Sequence, residues 1–221
     1  MTFKILFPRL LGGFASLIVV LALGDCTIVR HDQKGGSATA DSANSGEFDS
    51  TGYVEKNWTD KIVPELTGNA VELSTVLAAL KADPDAARAK YGRRQEETAP
   101  FTFIVRGSFR VKAANLESSA ANVELAAPAP TADGAVLVQI GPVIKTSAVR
   151  DVLSFVHFGD FTNQVDFANL SRAINTRVKD TVVSGLDRDH LVGRTLTFTG
   201  AFAEDPSGQV LITPVLLEVK K

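Results

Sequence analysis

Hydrophobic positions recur along this chain at two spacings, and the change from one to the other divides it. From Tyr53 onward Val54, Trp58 and Ile62 fall at every fourth position, one stripe of a helix that Pro64 is expected to end. Leu73, Val76, Leu77 and Leu80 share a second helical face and predict a helix over residues 71–81. Asp83 and Pro84 fit an N-cap and a first helical position, with Gly92 as the C-terminal stop. The charged stretch 93–97 then marks a boundary.

After Pro100 the period becomes two. Phe101, Phe103, Val105, Phe109 and Val111 alternate with polar residues, with Ile104 the exception. This predicts a long half-buried strand, with a bend or bulge at Gly107. Shorter strands are expected over 122–127, before a loop holding Pro128 and Pro130, and over 135–144, broken at Gly141-Pro142. Phe167, Leu170, Ile174 and Val178 return to the helical spacing and predict a helix over 166–186. Two last strands, 195–203 and 209–219, make a hairpin around the turn residues of 204–208. A change of parity near Thr213-Pro214 predicts an edge position or a bulge. Three strands, a helix and two strands is the order of an OB-type barrel. The fold class expected is therefore α+β: an OB-like five-stranded β-barrel, or a curled sheet, with one helix between strands 3 and 4 and a small N-terminal helical layer.

The amino-terminal segment follows neither pattern. Lys4 and Arg9 precede an uncharged apolar run from Leu10 to Gly24, then Asp25 and Cys26, which is the form of an export signal. Cys26 at its end predicts lipid attachment after cleavage, so the expected partner is a membrane and the expected place the bacterial periplasm. Leu23 and Gly24 fit a lipoprotein processing site, whereas Asp25 stands where a small residue is usual. The competing reading is an uncleaved anchor over 5–24, interrupted by Pro8 and Arg9; spanning needs roughly 20 apolar residues. Residues 27–52 are rich in Gly, Ser and Asn and read as a flexible tether. The organisation expected is an export signal with a lipobox-like end over 1–26, the tether, a helical layer over 53–97 and a β domain over 98–221.

Composition narrows the function. The net charge of the chain is −2, and loss of the first 25 residues makes it one unit more negative, which gives no electrostatic drive toward nucleic acid. Arg106, Arg110 and Lys112 put a basic face on the first strand, and a solvated strand face is the expected role. Cys26 is the only cysteine, so no intramolecular disulfide forms. No glycine-rich phosphate loop, HExxH or nucleophile elbow is present. His31, His157 and His190 lack metal-ligand spacing, so no metal, cofactor or catalytic residue is expected, and the chain does not read as an enzyme.

The densest chemistry lies within 140–167. Arg150 and Asp151 are followed by Phe155, Phe158, Asp160, Phe161, Asn163, Gln164 and Phe167. Aromatic faces beside carboxylate, amide and guanidinium groups are what a saccharide cleft uses. Arg150, Asp151, Phe158, Asp160, Phe161, Asn163 and Gln164 are thus candidate ligand or partner contacts. The structural alternative makes the phenylalanines core and Asp160 and Asn163 caps of turns or of the helix. Asp151 with Asp160 could serve as an acid–base pair only if they shared one cleft.

The same stretches carry a resemblance. Tyr53-Val54 to Trp58, IGPV at 140–143, RD at 150–151, FGDFTNQ at 158–164, GRTLTFTGAF at 193–202 and ITPVLLEV at 212–219 resemble a bacterial family of predicted periplasmic lipoproteins catalogued as domain of unknown function 2291. The resemblance covers nearly all of 53–221. It implies an accessory lipoprotein associated with ABC-type sugar uptake, with transporter components or sugar as partners, and supplies no catalytic or binding residues. The leading expectation is a non-enzymatic envelope lipoprotein of unknown activity; the alternative is direct binding of a saccharide or another small ligand.

Cys26→Ser in the native host is expected to abolish labelling by a fatty-acid analogue and to block processing, while Asp25→Gly increases the mature form. Acylation supplies roughly 0.8 kcal/mol of membrane affinity per buried methylene, so the mature form should survive high-salt washing of membranes. A Cys26→Ser protein that stays membrane-bound at full length, with wild-type behaviour, establishes the anchor instead.

Overall fold

Thr102 to Arg110 pairs with Ala203 to Thr195 in unbroken antiparallel register, and this ladder closes the sheet on itself. The computed structural model describes residues 48–127 and 134–220. The export signal, Cys26, the tether up to residue 47 and the loop with Pro128 and Pro130 lie outside the described residues. Five strands form the barrel: β1 (Thr102–Asn115), β2 (Asn122–Leu125), β3 (Val136–Gln139), β4 (Thr195–Ala203) and β5 (Val210–Lys220). Their order is β1-β2-β3-β5-β4, with β4 returning to β1. β3 and β5 run parallel, and the remaining neighbours are antiparallel. This is the OB connectivity, closed, so the open curled sheet is excluded. Two-residue ladders at Val71–Glu72 and Gly92–Arg93 add to β1.

Six helices accompany the barrel among the described residues: α1 (Ser50–Asn57), α2 (Val63–Asn69), α3 (Leu73–Ala82), α4 (Pro84–Tyr91), α5 (Ala148–Asp151) and α6 (Gln164–Val178). Among the described residues no helix is long and apolar enough to cross a membrane. The interior core contains Phe103, Val105, Val123, Val138, Phe198, Phe202 and Ile212, joined by Leu73, Val76 and Leu77 of α3. A second core contains Ile104, Ala201 and Val215 of the barrel wall together with Val54, Trp58, Ile62, Leu170 and Ile174 of the helices. Successive side chains of a strand face opposite sides, so Ile104 points away from Phe103 and Val105. Its break in the alternation marks where the barrel wall is covered on both faces.

Several elements differ from their predicted form. The first helix begins at Ser50, ahead of Tyr53, because Asp49 caps it by accepting from the Gly52 N–H at 2.9 Å. Pro64 does not end the helical path. A π-turn over Trp58–Ile62 widens the backbone so that Val63 N–H donates to Trp58 O, and α2 follows with Pro64 in its first turn. A proline clashes with the carbonyl four residues earlier in a regular helix, and the wider turn relieves that. Gly92 does stop α4, in extended rather than left-handed conformation (φ −83°). A side chain there would meet Arg88 O at 2.7 Å and the Phe101 ring at 2.8 Å. Gly107 makes no bulge: it pairs with Phe198 in register, and a Cβ would sit 2.5 Å from the Phe109 ring. The break in β1 falls instead between Val111 and Ala113 against β2.

The parity change in the last strand is a bulge. Thr199 pairs with Leu216 and Gly200 with Pro214, leaving Val215 as the extra residue, buried in the helical core. The predicted long helix is α6 continued by a π-turn over Lys179–Val183, and its four-residue apolar stripe is buried throughout. α5 carried no periodic signal, since a helix of 4 residues is about one turn.

Trp58 is 6% exposed between the helices and the wall. Trp58→Ala is expected to lower stability by about 3–5 kcal/mol, the range for emptying a large aromatic site. Urea denaturation followed by circular dichroism measures it. A loss below about 1 kcal/mol would show that the helical layer is only loosely attached.

Candidate functional site

The loop that leaves β3 positions the candidate residues, and buried polar groups fix that loop. Gln139 is buried and bonds the loop twice: its Oε1 accepts from Lys145 N–H at 2.6 Å, and its Nε2 donates to Lys145 O at 2.9 Å and to Thr213 Oγ1 at 2.7 Å. Asn175 of α6 donates to Thr146 O at 2.9 Å. Gly141 lies so close to Ser119 O and Ala121 N that a Cβ would sit 2.4 Å from each. The IGPV motif therefore has a packing role: Ile140 enters the barrel core, and Gly141 lets two loops touch.

Arg150 and Asp151 stand on α5 and bond each other. Asp151 Oδ1 accepts from Arg150 Nε at 2.8 Å and pairs with Nη2 at 2.6 Å, while Oδ2 accepts from Ser147 Oγ at 2.5 Å. The guanidinium also donates from Nη1 to Phe167 O at 3.0 Å and lies 3.6 Å from the centre of the Phe167 ring. Charge, hydrogen bonds and stacking thus clamp α5 to α6. Gln95 donates to Asp151 O and Val156 O, and Arg93 to Val152 O and Glu65 Oε1. Arg93 and Gln95 thus fasten their own segment to α2 and to the end of α5.

Of the seven candidate contacts, Arg150, Asp151, Phe158 and Gln164 line one groove of about 440 Å³, with Gln95 and Phe167. The other three do not. Asp160 accepts from His157 N–H at 2.9 Å and closes a single 3-10 turn. Burial and then the Asp160 charge raise the Tyr53 hydroxyl above its usual range. Asn163 caps α6, accepting from Asp166 N–H at 2.9 Å and donating to Asp166 Oδ2 at 3.0 Å. Phe161 packs between Phe48 and Phe167, with ring centres 5.0 and 5.3 Å away. Phe158 meets Phe167 edge-on at 5.3 Å and remains 38% exposed. Asp151 lines the groove, while Asp160, bonded to His157 N–H, is not among its lining residues. Each basic side chain on β1 has a local acceptor: Arg106 bonds Glu72, Arg110 bonds Gly193 O and Lys112 bonds Glu124.

With the positions of these motifs known, comparison with protein families is decisive. A family model described as predicted periplasmic lipoprotein, DUF2291, matches residues 16–218. The chain belongs to the DUF2291 family. Its DUF2291 membership makes it a periplasmic, membrane-anchored lipoprotein, and the family description assigns no activity. No curated protein matches this DUF2291 chain. Among solved structures it is similar to an OB-fold protein from Thermotoga maritima, at 17% identity and a TM-score of 0.57 over 78% of this chain and 99% of the other. At that identity the likeness establishes the fold alone.

Two further features of this DUF2291 domain escaped sequence reasoning. One is a cavity of about 850 Å³ beside Leu80, Phe101, Phe202 and Val210. Arg88 and Glu204 in its wall form a two-pronged ion pair, with Nε at 2.9 Å from Oε2 and Nη2 at 2.6 Å from Oε1. Ser207, through its hydroxyl and then its N–H, holds the nearby Asp205 carboxyl below the usual carboxylate range. Arg88 and Glu204 lie on elements far apart in the chain, and no local pattern joins them. The second is a polar groove between α1 and α6. Among the described residues no cluster of three or more His, Cys, Asp or Glu side chains is placed to hold a metal ion.

Proposed function

We propose that this lipoprotein is a non-enzymatic accessory of the cell envelope, acting by contact with components of an ABC-type sugar-uptake complex. The observation that carries the reading is the state of the charged groups in the densest motif. Arg150 is bonded to Asp151, to Phe167 O and to the Phe167 ring. Asp160 and Asn163 cap turns. Residues that would otherwise serve as acid, base or ligand hook are spent on holding the fold, as interaction modules with shaped surfaces do. Membrane anchorage, which the family provides, supports a partner that is itself in or at the membrane. Crosslinking in living cells followed by mass spectrometry should recover a solute-binding protein or a permease. Recovery of abundant bystanders alone sinks the proposal.

A second reading is direct binding of a saccharide. It is favoured by the convergence of Arg150, Asp151, Phe158 and Gln164 on one groove, where the exposed Phe158 offers a face for sugar C–H groups. Ligand that binds only the folded state raises apparent stability. A panel of sugars at roughly millimolar concentration should then raise the thermal midpoint of the wild type, and less so that of Phe158→Ala. A flat response across the panel removes this reading.

A further inference from the structure

The polar groove between α1 and α6 takes no part in the contacts described so far. It measures about 330 Å³; Ser50, Thr51 and Glu55 line it from α1, and Arg172, Thr176 and Arg177 from α6, while Asp180 also reaches it. Neither arginine forms an ion pair among the described residues, although two carboxylates share the groove; Asp180 pairs with Lys179 at 3.0 Å instead. Arg177 Nε is shielded from solvent and has no acceptor. Native proteins rarely leave a buried donor unpaired, and a bound ion or water is a common resolution. The Arg177 guanidinium carbon lies 6.0 Å from the centre of the Trp58 ring, within reach of a cation–π attraction that holds it in place.

We propose that this groove is an oxyanion site that takes a phosphate ester carrying a neighbouring ammonium group. Two guanidinium groups present the planar donor pairs that match phosphate oxygens. The Ser50, Thr51 and Thr176 hydroxyls add neutral donors. Glu55 in the same wall opposes a multiply charged anion and complements an ammonium beside the phosphate. The chemistry has two sources, a phospholipid headgroup of the anchoring membrane and a free phosphorylated amine. Position favours the headgroup. Ser50 follows Cys26 by only about two dozen residues in the sequence. An acyl chain on Cys26 would thus tie the groove to the membrane through a short stretch of sequence.

The test uses the acylated full chain in a non-ionic detergent, with thermal unfolding as the readout. One arm adds soluble phosphoethanolamine; the other dopes the micelles with phosphatidylethanolamine. A saturable rise in midpoint in either arm is expected. Response to the lipid alone assigns the headgroup, and response to the soluble ester assigns the solute. Arg172 is exposed, so Arg172→Gln should keep the wild-type midpoint without ligand while weakening binding about tenfold. Arg177→Lys, which keeps the charge and loses the fork, should weaken it as well. Arg106→Gln, at a residue bonded to Glu72 and outside the groove lining, should leave binding unchanged. No saturable shift in either arm up to roughly 10 mM overturns the proposal, as does a shift that Arg172→Gln leaves intact.

Discussion

Everything in this domain depends on the β1–β4 ladder that closes the barrel. Nine consecutive residue pairs, from Thr102–Ala203 to Arg110–Thr195, fix the register. Side chains alternate across a strand, so the same register assigns Phe103, Val105, Phe198 and Phe202 to the interior and Ile104 and Ala201 to the outside. A slip of one residue would exchange those sets. The interior would lose its stacked Phe103–Phe202 pair, whose centres are 5.1 Å apart, and the helices would lose the surface on which they pack.

The helical layer is secured by that outer surface rather than by its own propensity. Helices as short as α1 and α2, of 8 and 7 residues, are unstable alone. Ile104, Ala201 and Val215 give them an apolar wall, and the bulge opposite Gly200 is what turns Val215 toward it. A Cβ on Gly200 would sit 2.4 Å from Thr213 O, so the close approach of β4 and β5 at the bulge requires glycine. Packing then brings α1 against α6, and α5 beside α6, and both grooves follow from these two contacts. The two grooves of this lipoprotein thus lie on the helical side of a barrel wall, on surfaces that exist only once the barrel is closed.

Much of the fold was legible because its signals are local. The five strands, α6 and the Asp83 cap each follow from a short run of residues, and strand order with one intervening helix limits the connectivity to few arrangements. The candidate site was legible only in part. Arg150 and Asp151 stand out by composition, yet their engagement with Phe167 and Ser147 depends on how α5 meets α6. Asp160 and Asn163 have the composition of ligand hooks and the positions of caps, since both uses draw on the same acceptor oxygens. Arg177 gave no signal at all: an arginine on a helix is ordinary until its Nε is buried without a partner.

The sequence by itself determined the export and anchoring pattern around Cys26, the periods that build strands and helices, and the motifs that carry family membership. Each is written in neighbouring residues or in a fixed spacing. Tertiary structure decided closure of the barrel, the double-sided burial at Ile104, the passage of the helix through Pro64 and the pairing of Arg88 with Glu204. It also decided which charged side chains are spent inside the domain and which face a groove. Those outcomes depend on residues far apart in the chain meeting at a few ångströms, and the register of β1 on β4 is what brings them together.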